Sequence, residues 1–320
     1  MKDNQNQELS WLSEQVTKRK IGRRDFIGRA AALGVTTALA GTLYSQALQA
    51  AEPKQGGNLR VGLGHGSTTD SMDPATFENG FMATLNFGTN NTLTEIGADG
   101  SLQPELAESW EASADAAQWT FKLRKGVEFH NGKTMTARDV LASINHHRGE
   151  DSKSAAKPIV DPIEDIQVDG DDTVIFTLAG GNADFPFIMS DYHLAIQPAK
   201  EDGTMDWEGR IGTGGYVLKD FEPGVRAHLT RNPNYWKEGS AHLDEAELIS
   251  IIDVTARTNA LNTGEIDVMD RCDIKTLHLL ERNDDLRIGE ATGYAHFTIP
   301  MRTDTPPFDN NDVRLALKLA

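Results

Sequence analysis

The chain has 320 residues, with 31 Lys and Arg against 48 Asp and Glu and a formal net charge of −17. So acidic a surface repels nucleic acid and anionic lipid headgroups, which excludes nucleic-acid binding as a function. The single cysteine, Cys272, rules out an intramolecular disulfide and has no CxxC or Cys/His spacing around it for zinc or redox work, so ordinary packing is its expected role.

The first predicted element is an export signal. Arg23 and Arg24 stand in Gly22-Arg23-Arg24-Asp25-Phe26-Ile27-Gly28, followed by a weakly apolar run from Ala30 to Tyr44. A basic segment, an apolar run of about 15 residues and small residues near Ala47, Ala50 and Ala51 have the layout of a bacterial signal peptide of the twin-arginine type. A transmembrane helix needs roughly 20 apolar residues, whereas Thr36, Thr37, Thr42 and Gln46 interrupt this run. Cleavage is expected after Ala50 or Ala51, with 1–50 as the signal peptide. No cysteine lies near that point to carry a lipid anchor, so the mature protein is expected free in the periplasm. Residues 1–50 hold seven Lys/Arg and four Asp/Glu, which leaves the mature chain near −20. The 270 residues after Ala50 exceed the usual size of one domain, so two lobes are expected.

Gly56-Gly57-Asn58-Leu59-Arg60-Val61-Gly62-Leu63 predicts a strand opened by glycines, leading into a polar loop from Gly64 to Asp73 closed by Pro74. Trp119 to Arg124 alternates apolar and polar residues as a half-buried strand does, and Gly126 and Gly132 mark two turns after it. Thr136 with Asp139 three residues on predicts a capped helix running to about His147. Hairpins are expected at Val168 to Thr173 and at Glu222-Pro223-Gly224. Glu247 to Asp253 predicts a strand, Thr255 to Thr263 a helix ended by Gly264, Glu265 to Met269 a short strand, and Asp312 to Ala320 a helix without a C-cap signal. The order is mixed α and β without regular βαβ alternation, and neither GxGxxG nor GxxxxGK[ST] occurs.

Several features favour structure over chemistry. His146 and His147 are adjacent, so on a helix they point about 100° apart and make a poor chelating pair; no metal is expected. Trp110, Trp119, Trp207 and Trp236 are expected to pack. Asp169, Asp171 and Asp172 lack calcium-loop spacing and are expected at a solvated hairpin tip. No G-x-S-x-G or H-E-x-x-H motif is present, and no spacing forces two carboxylates together, so no catalytic residue and no cofactor is expected.

In chain order the following segments carry a resemblance: Gly57-Asn58-Leu59-Arg60-Val61 with Ser71-Met72-Asp73-Pro74, Gln103 to Trp110, Trp119 through Asp139, Gly212-Thr213-Gly214-Gly215-Tyr216, Arg231 to Trp236, Gly264-Glu265-Ile266-Asp267, and Pro307 to Asn310 with Val313-Arg314. Together they resemble the extracellular solute-binding proteins of the dipeptide/oligopeptide type, family 5, which serve ABC importers. The resemblance implies an α/β, two-lobed periplasmic binding protein-like fold of class II. It further implies a first lobe over 51–300, with an inserted subdomain at about 80–185, and 301–320 as the start of a second lobe mostly missing from this chain. It implies a monomer that captures a solute, most commonly a peptide, between lobes and delivers it to a membrane permease; the twin-arginine translocase, its expected partner during export, follows from the Arg23-Arg24 signal instead.

Ligand contacts are expected at Thr68, Thr69 and Asp70 after the first strand, at Asp191 and Tyr192, and at Gly214 and Tyr216; the export signal is carried by Arg23, Arg24 and Phe26. For Asp70 a turn residue bonding its own backbone is the competing reading, and for Tyr192 it is half-buried packing. The family usually has proline where Gly215 stands, which should loosen that turn. The alternatives are a periplasmic hydrolase acting on peptides, or a ligand-loaded partner of a chemoreceptor or a chaperone.

Overall fold

The computed structural model describes residues 2–17, 21–49, 53–283, 285–290 and 298–319. The expected cleavage positions, Ala50 and Ala51, lie outside the described residues, as does Ala320. Two compact units divide the chain. One comprises Met1–Gly97 and Ser101–Cys272, the other Ala98–Gly100 and Asp273–Ala320. Among the described residues no helix is long and apolar enough to cross a membrane.

Three helices come first, α1 (Lys2–Thr17), α2 (Arg23–Ala32) and α3 (Thr37–Gln49). Strand β1 (Asn58–Leu63) follows, then a short 3₁₀ turn (Pro74–Thr76) and α4 (Gly80–Thr89). A small antiparallel pair, β2 (Thr94–Ile96) and β3 (Leu102–Pro104), precedes β4 (Ala107–Ala112), β5 (Gln118–Leu123), α5 (Ala137–Asn145), α6 (Lys157–Val160), β6 (Ile163–Asp169) and β7 (Thr173–Leu178). After α7 (Phe185–Ile188) come β8 (Tyr216–Glu222), β9 (Arg226–Arg231), β10 (Glu245–Ser250), α8 (Val254–Thr263) and β11 (Val268–Met269), and then α9 (Leu277–Leu280) and α10 (Asn311–Leu319).

A five-stranded mixed sheet has the order β11-β1-β10-β9-β8, with β1 parallel to both β10 and β11. Alternation splits its faces. Ala227, Leu229, Ala246 and Leu248 are buried in one cluster with Phe81, Met82 and Leu85 of α4, whereas Arg226, His228, Glu245 and Glu247 are more exposed. A second, antiparallel sheet has the order β4-β5-β7-β6. Trp119, Phe121, Val174 and Phe176 from its two central strands share a core with Val140 and Ile144 of α5. The Phe121 and Phe176 rings meet edge to face at 5.5 Å, a favoured aromatic geometry.

The expected elements are present with shifted ends. The β6–β7 and β8–β9 hairpins stand where the turn residues place them. The helix at Thr136 closes as a capping box in which Asp139 is the acceptor: its carboxylate takes the Thr136 backbone N–H at 2.8 Å and the hydroxyl at 3.0 Å. A carboxylate accepts more strongly than a hydroxyl, so the hydroxyl donates to it. Strand β10 ends at Ser250 instead of Asp253, because Asp253 caps α8 by accepting from Ala256 N–H at 2.7 Å. Gly264 ends that helix in the left-handed region, φ 74°. The short strand expected from Glu265 is confined to β11, since Asp267 is occupied with the Arg60 guanidinium and backbone.

Candidate functional site

The parallel strands β1, β10 and β11 end on one edge of the five-stranded sheet, and in α/β sheets ligands bind beyond carboxyl ends of this kind. A buried arginine ties the three ends together. Arg257 of α8, 2% exposed, donates through Nη1 to the carbonyls of Ile251 (2.5 Å) and Ile252 (3.2 Å), through Nε to that of Asp270 (3.3 Å), and through Nη2 to that of Arg271 (3.3 Å). Asp270 Oδ1 in turn accepts the Gly64 N–H at 2.7 Å. Sequence reading passed over Arg257 and Asp270. The available signal was a cation near the start of a helix, where the helix dipole disfavours it unless something else holds it.

On this edge stands the loop 64–70. Asp70 N–H donates to the Ser67 carbonyl (2.9 Å), the Asp70 carboxylate accepts the Ser67 N–H (2.8 Å), and its other oxygen accepts from Asn79 Nδ2 (2.7 Å). Asn79 Oδ1 caps α4 through the Phe81 and Met82 amides. His65 Nδ1 accepts the Gly80 N–H at 2.9 Å. The Asp70 carboxylate is therefore engaged in shaping the loop and holding it to the start of α4. Thr68 and Thr69 are exposed, with Thr69 Oγ1 2.7 Å from Ser67 Oγ. The β8–β9 turn braces the loop from behind: a Cβ on Gly224 would lie 2.8 Å from the Thr68 nitrogen.

The other expected residues sit elsewhere on the framework. Asp191 Oδ1 binds the His193 amide (2.9 Å) and faces His193 Nδ1 (2.6 Å), while His193 Nε2 reaches the Phe77 carbonyl (2.7 Å). Tyr192 is half-buried, its carbonyl accepts from Asn86 Nδ2 of α4 (2.8 Å), and burial followed by the Asp191 charge pushes its phenol up. Tyr216 packs against the α4 cluster, and its hydroxyl accepts the Leu243 N–H at 3.3 Å.

Gly214 is buried at the far end of α4. Its N–H donates to the Thr89 carbonyl (3.0 Å), and its carbonyl accepts from Asn232 Nδ2 (3.0 Å) and His130 Nε2 (3.0 Å). The Gly212 N–H approaches His130 Nδ1 at 3.3 Å, which leaves Nε2 as the protonated nitrogen of that ring. Burial lowers the His130 pKa. Beside the glycines, Asn91 gathers four partners: Nδ2 donates to Glu105 Oε1 (2.7 Å) and the Tyr235 hydroxyl (3.2 Å), and Oδ1 accepts from Thr213 Oγ1 (3.0 Å) and Trp236 Nε1 (3.3 Å). Burial pushes the Tyr235 phenol up to about 12. A ten-residue helix is about 15 Å long. The structure thus gathers Thr68, Thr69 and Asp70 at one end of α4 and holds Gly214 at the other.

His146 and His147 have separate partners. His146 Nε2 meets Asp73 Oδ1 at 2.7 Å, and His147 Nδ1 meets Ser154 Oγ at 2.6 Å. Trp119 is buried and donates to the Asn182 carbonyl at 3.1 Å. Asp169 and Asp171 are exposed at the β6–β7 hairpin, and Asp172 pairs with Lys125 at 2.9 Å. In α2, Arg23 and Arg24 are exposed and Phe26 is fully buried.

A mixed sheet whose parallel strands end on a polar loop is an α/β architecture of the kind found in periplasmic binding proteins. A family model described as bacterial extracellular solute-binding proteins, family 5 Middle, matches residues 101–320, and the chain belongs to that family. It is similar to heme-binding protein A of Haemophilus influenzae, 29% identical over 244 residues, covering 68% of this chain and 44% of the relative. It is similar also to di/tripeptide-binding protein 1 of Pseudomonas aeruginosa, 28% identical over 315 residues, covering 89% of this chain and 58% of the relative. Among solved structures, the periplasmic binding protein DppA from Helicobacter pylori in complex with peptide STSA superposes with a TM-score of 0.64 at 26% identity, covering 72% of this chain and 50% of that one. The chain spans about half the length of the curated relatives it matches. Members of the family are solute-binding proteins rather than enzymes.

Proposed function

We propose that this chain is the substrate-binding component of an ABC importer, that its solute is a di- or oligopeptide, and that it reaches the periplasm by the twin-arginine route with 1–50 as its signal. The observation that carries the reading is the loop 64–70, fixed by Arg257, Asp270 and Asn79, which presents the exposed Thr68 and Thr69 beyond the carboxyl ends of β1 and β10. A peptide enclosed there loses its water, and each donor or acceptor left unpaired costs about 1–3 kcal/mol. Rigid polar loops and strand-end backbone groups suit such a ligand. Thr68 and Thr69 make the direct contacts. Asp70, Asp191, Tyr192, Gly214 and Tyr216 hold the framework behind them.

The peptide reading draws support from the relatives named for di- and tripeptides and from the DppA structure with its peptide. Other relatives are named for heme and nickel binding, and a structural neighbour holds an opine, so ligand class is the point to test. The proposed organisation is a first lobe over 51–300 with an inserted subdomain at about 80–185, a second lobe beginning at 301–320, and a monomer that hands its solute to a membrane permease. The separate core around β4–β7 supports the subdomain. Native mass spectrometry of the protein taken from the periplasm of its own host reads polypeptide mass and retained ligand together. An adduct of di- or oligopeptide mass is expected; a heme, opine or nickel-complex adduct would replace the peptide assignment.

A further inference from the structure

The three helices that precede β1 share one small core, built from Leu12 and Val16 of α1, Phe26 and Ala30 of α2, and Ala40 and Ala47 of α3. Phe26 is fully buried in it, with its ring 5.6 Å from that of Tyr44. Arg23 and Arg24, at the start of the same helix, stay exposed. A translocase that reads the two arginines and the phenylalanine together would find the arginines and miss the phenylalanine.

We propose that α1 is an autoinhibitory clamp: Leu12 and Val16 of α1 belong to the same core that buries Phe26, and the export signal is read only from an open form in which α1 has let go and that core has loosened. This rests on the twin-arginine reading above. α1 lies outside both the arginine motif and the apolar run that a signal requires, so its packing against them is a separate feature of the chain. The bundle is suited to opening. Among the described residues, three of the six that are buried in it, Ala30, Ala40 and Ala47, are alanines, which bury little apolar surface, and side chains such as Leu9, Ile27 and Leu43 pack on it only partly buried. Gly22 precedes α2 as its N-cap and offers no side-chain cap, and Arg23 and Arg24 occupy the first turn, where the helix dipole disfavours cations and Asp25 is the acidic residue opposing them. The turn that carries the motif thus has no side-chain cap and two cations at the positive end of the helix dipole.

A partner that binds only the open form has its apparent affinity reduced by the open fraction, so a clamp leaving about a tenth of the chains open slows recognition about tenfold. The test is pulse–chase of the full chain in its host, following conversion of precursor to the mature form. Leu12→Asp with Val16→Asp opens the core from α1, and conversion should become about three- to tenfold faster. Ser10→Ala, at an exposed position of α1 where alanine favours the helix, should slow it. Conversion of the opened chain at the unaltered rate or slower, while Arg23→Lys with Arg24→Lys blocks conversion, overturns the clamp and leaves the twin-arginine reading intact. Normal conversion of the double-lysine chain removes that reading and the clamp with it. Should the opened chain be degraded before export, Ser10→Ala decides: slower conversion supports the clamp and an unchanged rate overturns it.

Discussion

Two glycine-bearing loops sit at opposite ends of α4 and use glycine for different reasons. In the loop 64–70 Thr68 and Thr69 are exposed, and its shape comes from side chains, chiefly Asp70 and Asn79. In the loop 212–215 every residue is buried, and Gly212 and Gly214 are there because the backbone of Thr89 and Asn90 lies against them. A Cβ on Gly214 would be 2.3 Å from the Thr89 carbonyl carbon, and one on Gly212 2.1 Å from the Thr89 oxygen. Both loops read alike in sequence. Only the first offers exposed side chains to a ligand, whereas the second joins α4 to the Asn91–Glu105 network.

The comparison is broken most severely at Gly214. Gly214→Ala forces backbone apart in a packed region and is expected to cost about 3 kcal/mol, read as a lowered urea midpoint. If that variant unfolds like the parent, the loop is not the rigid joint described here. A smaller effect is expected at Asp70. Asp70→Asn keeps the shape but leaves one acceptor oxygen for two donors, the Ser67 amide and Asn79 Nδ2, at a cost of about 1 kcal/mol in the same assay. The smallest effect separates the loops by pH. Burial, outweighing the Thr92 and Asn91 donors, holds the Glu105 carboxyl above the usual carboxylate range. A raised acid favours the folded state while protonated, so its contribution is full below the ordinary pKa and is lost as pH rises through the folded value. The urea midpoint should therefore show a small decline as pH rises from the ordinary glutamate value through the raised folded one, which Glu105→Gln removes and Asp70→Asn leaves in place.

Much of the fold was legible because it rests on local signals. Alternation in Trp119 to Leu123, the Thr136/Asp139 pair and the glycine at 264 each dictate a conformation within a few residues. The site was less legible, because its determinants are long-range. Asp70 gave itself away as a turn residue, but nothing near Gly214 announces that Thr89 and Asn232 will occupy its backbone groups. Arg257 is harder still, since its partners lie in segments that meet only after β1, β10 and β11 have paired. The burial of Phe26 likewise depends on helices flanking the motif on both sides.

Arg257 carries one more implication. A guanidinium is planar and rigid, and its donors point along fixed directions. Because one such plane serves the carbonyls that follow β10 and β11 and lies within about 3 Å of the space beside Gly64 after β1, the exits of three strands have their relative heights set by a single side chain. The loop 64–70 therefore inherits its position from the geometry of an sp² carbon group instead of from the loop's own flexible backbone. A lysine could supply the charge there, but it could not act as the ruler.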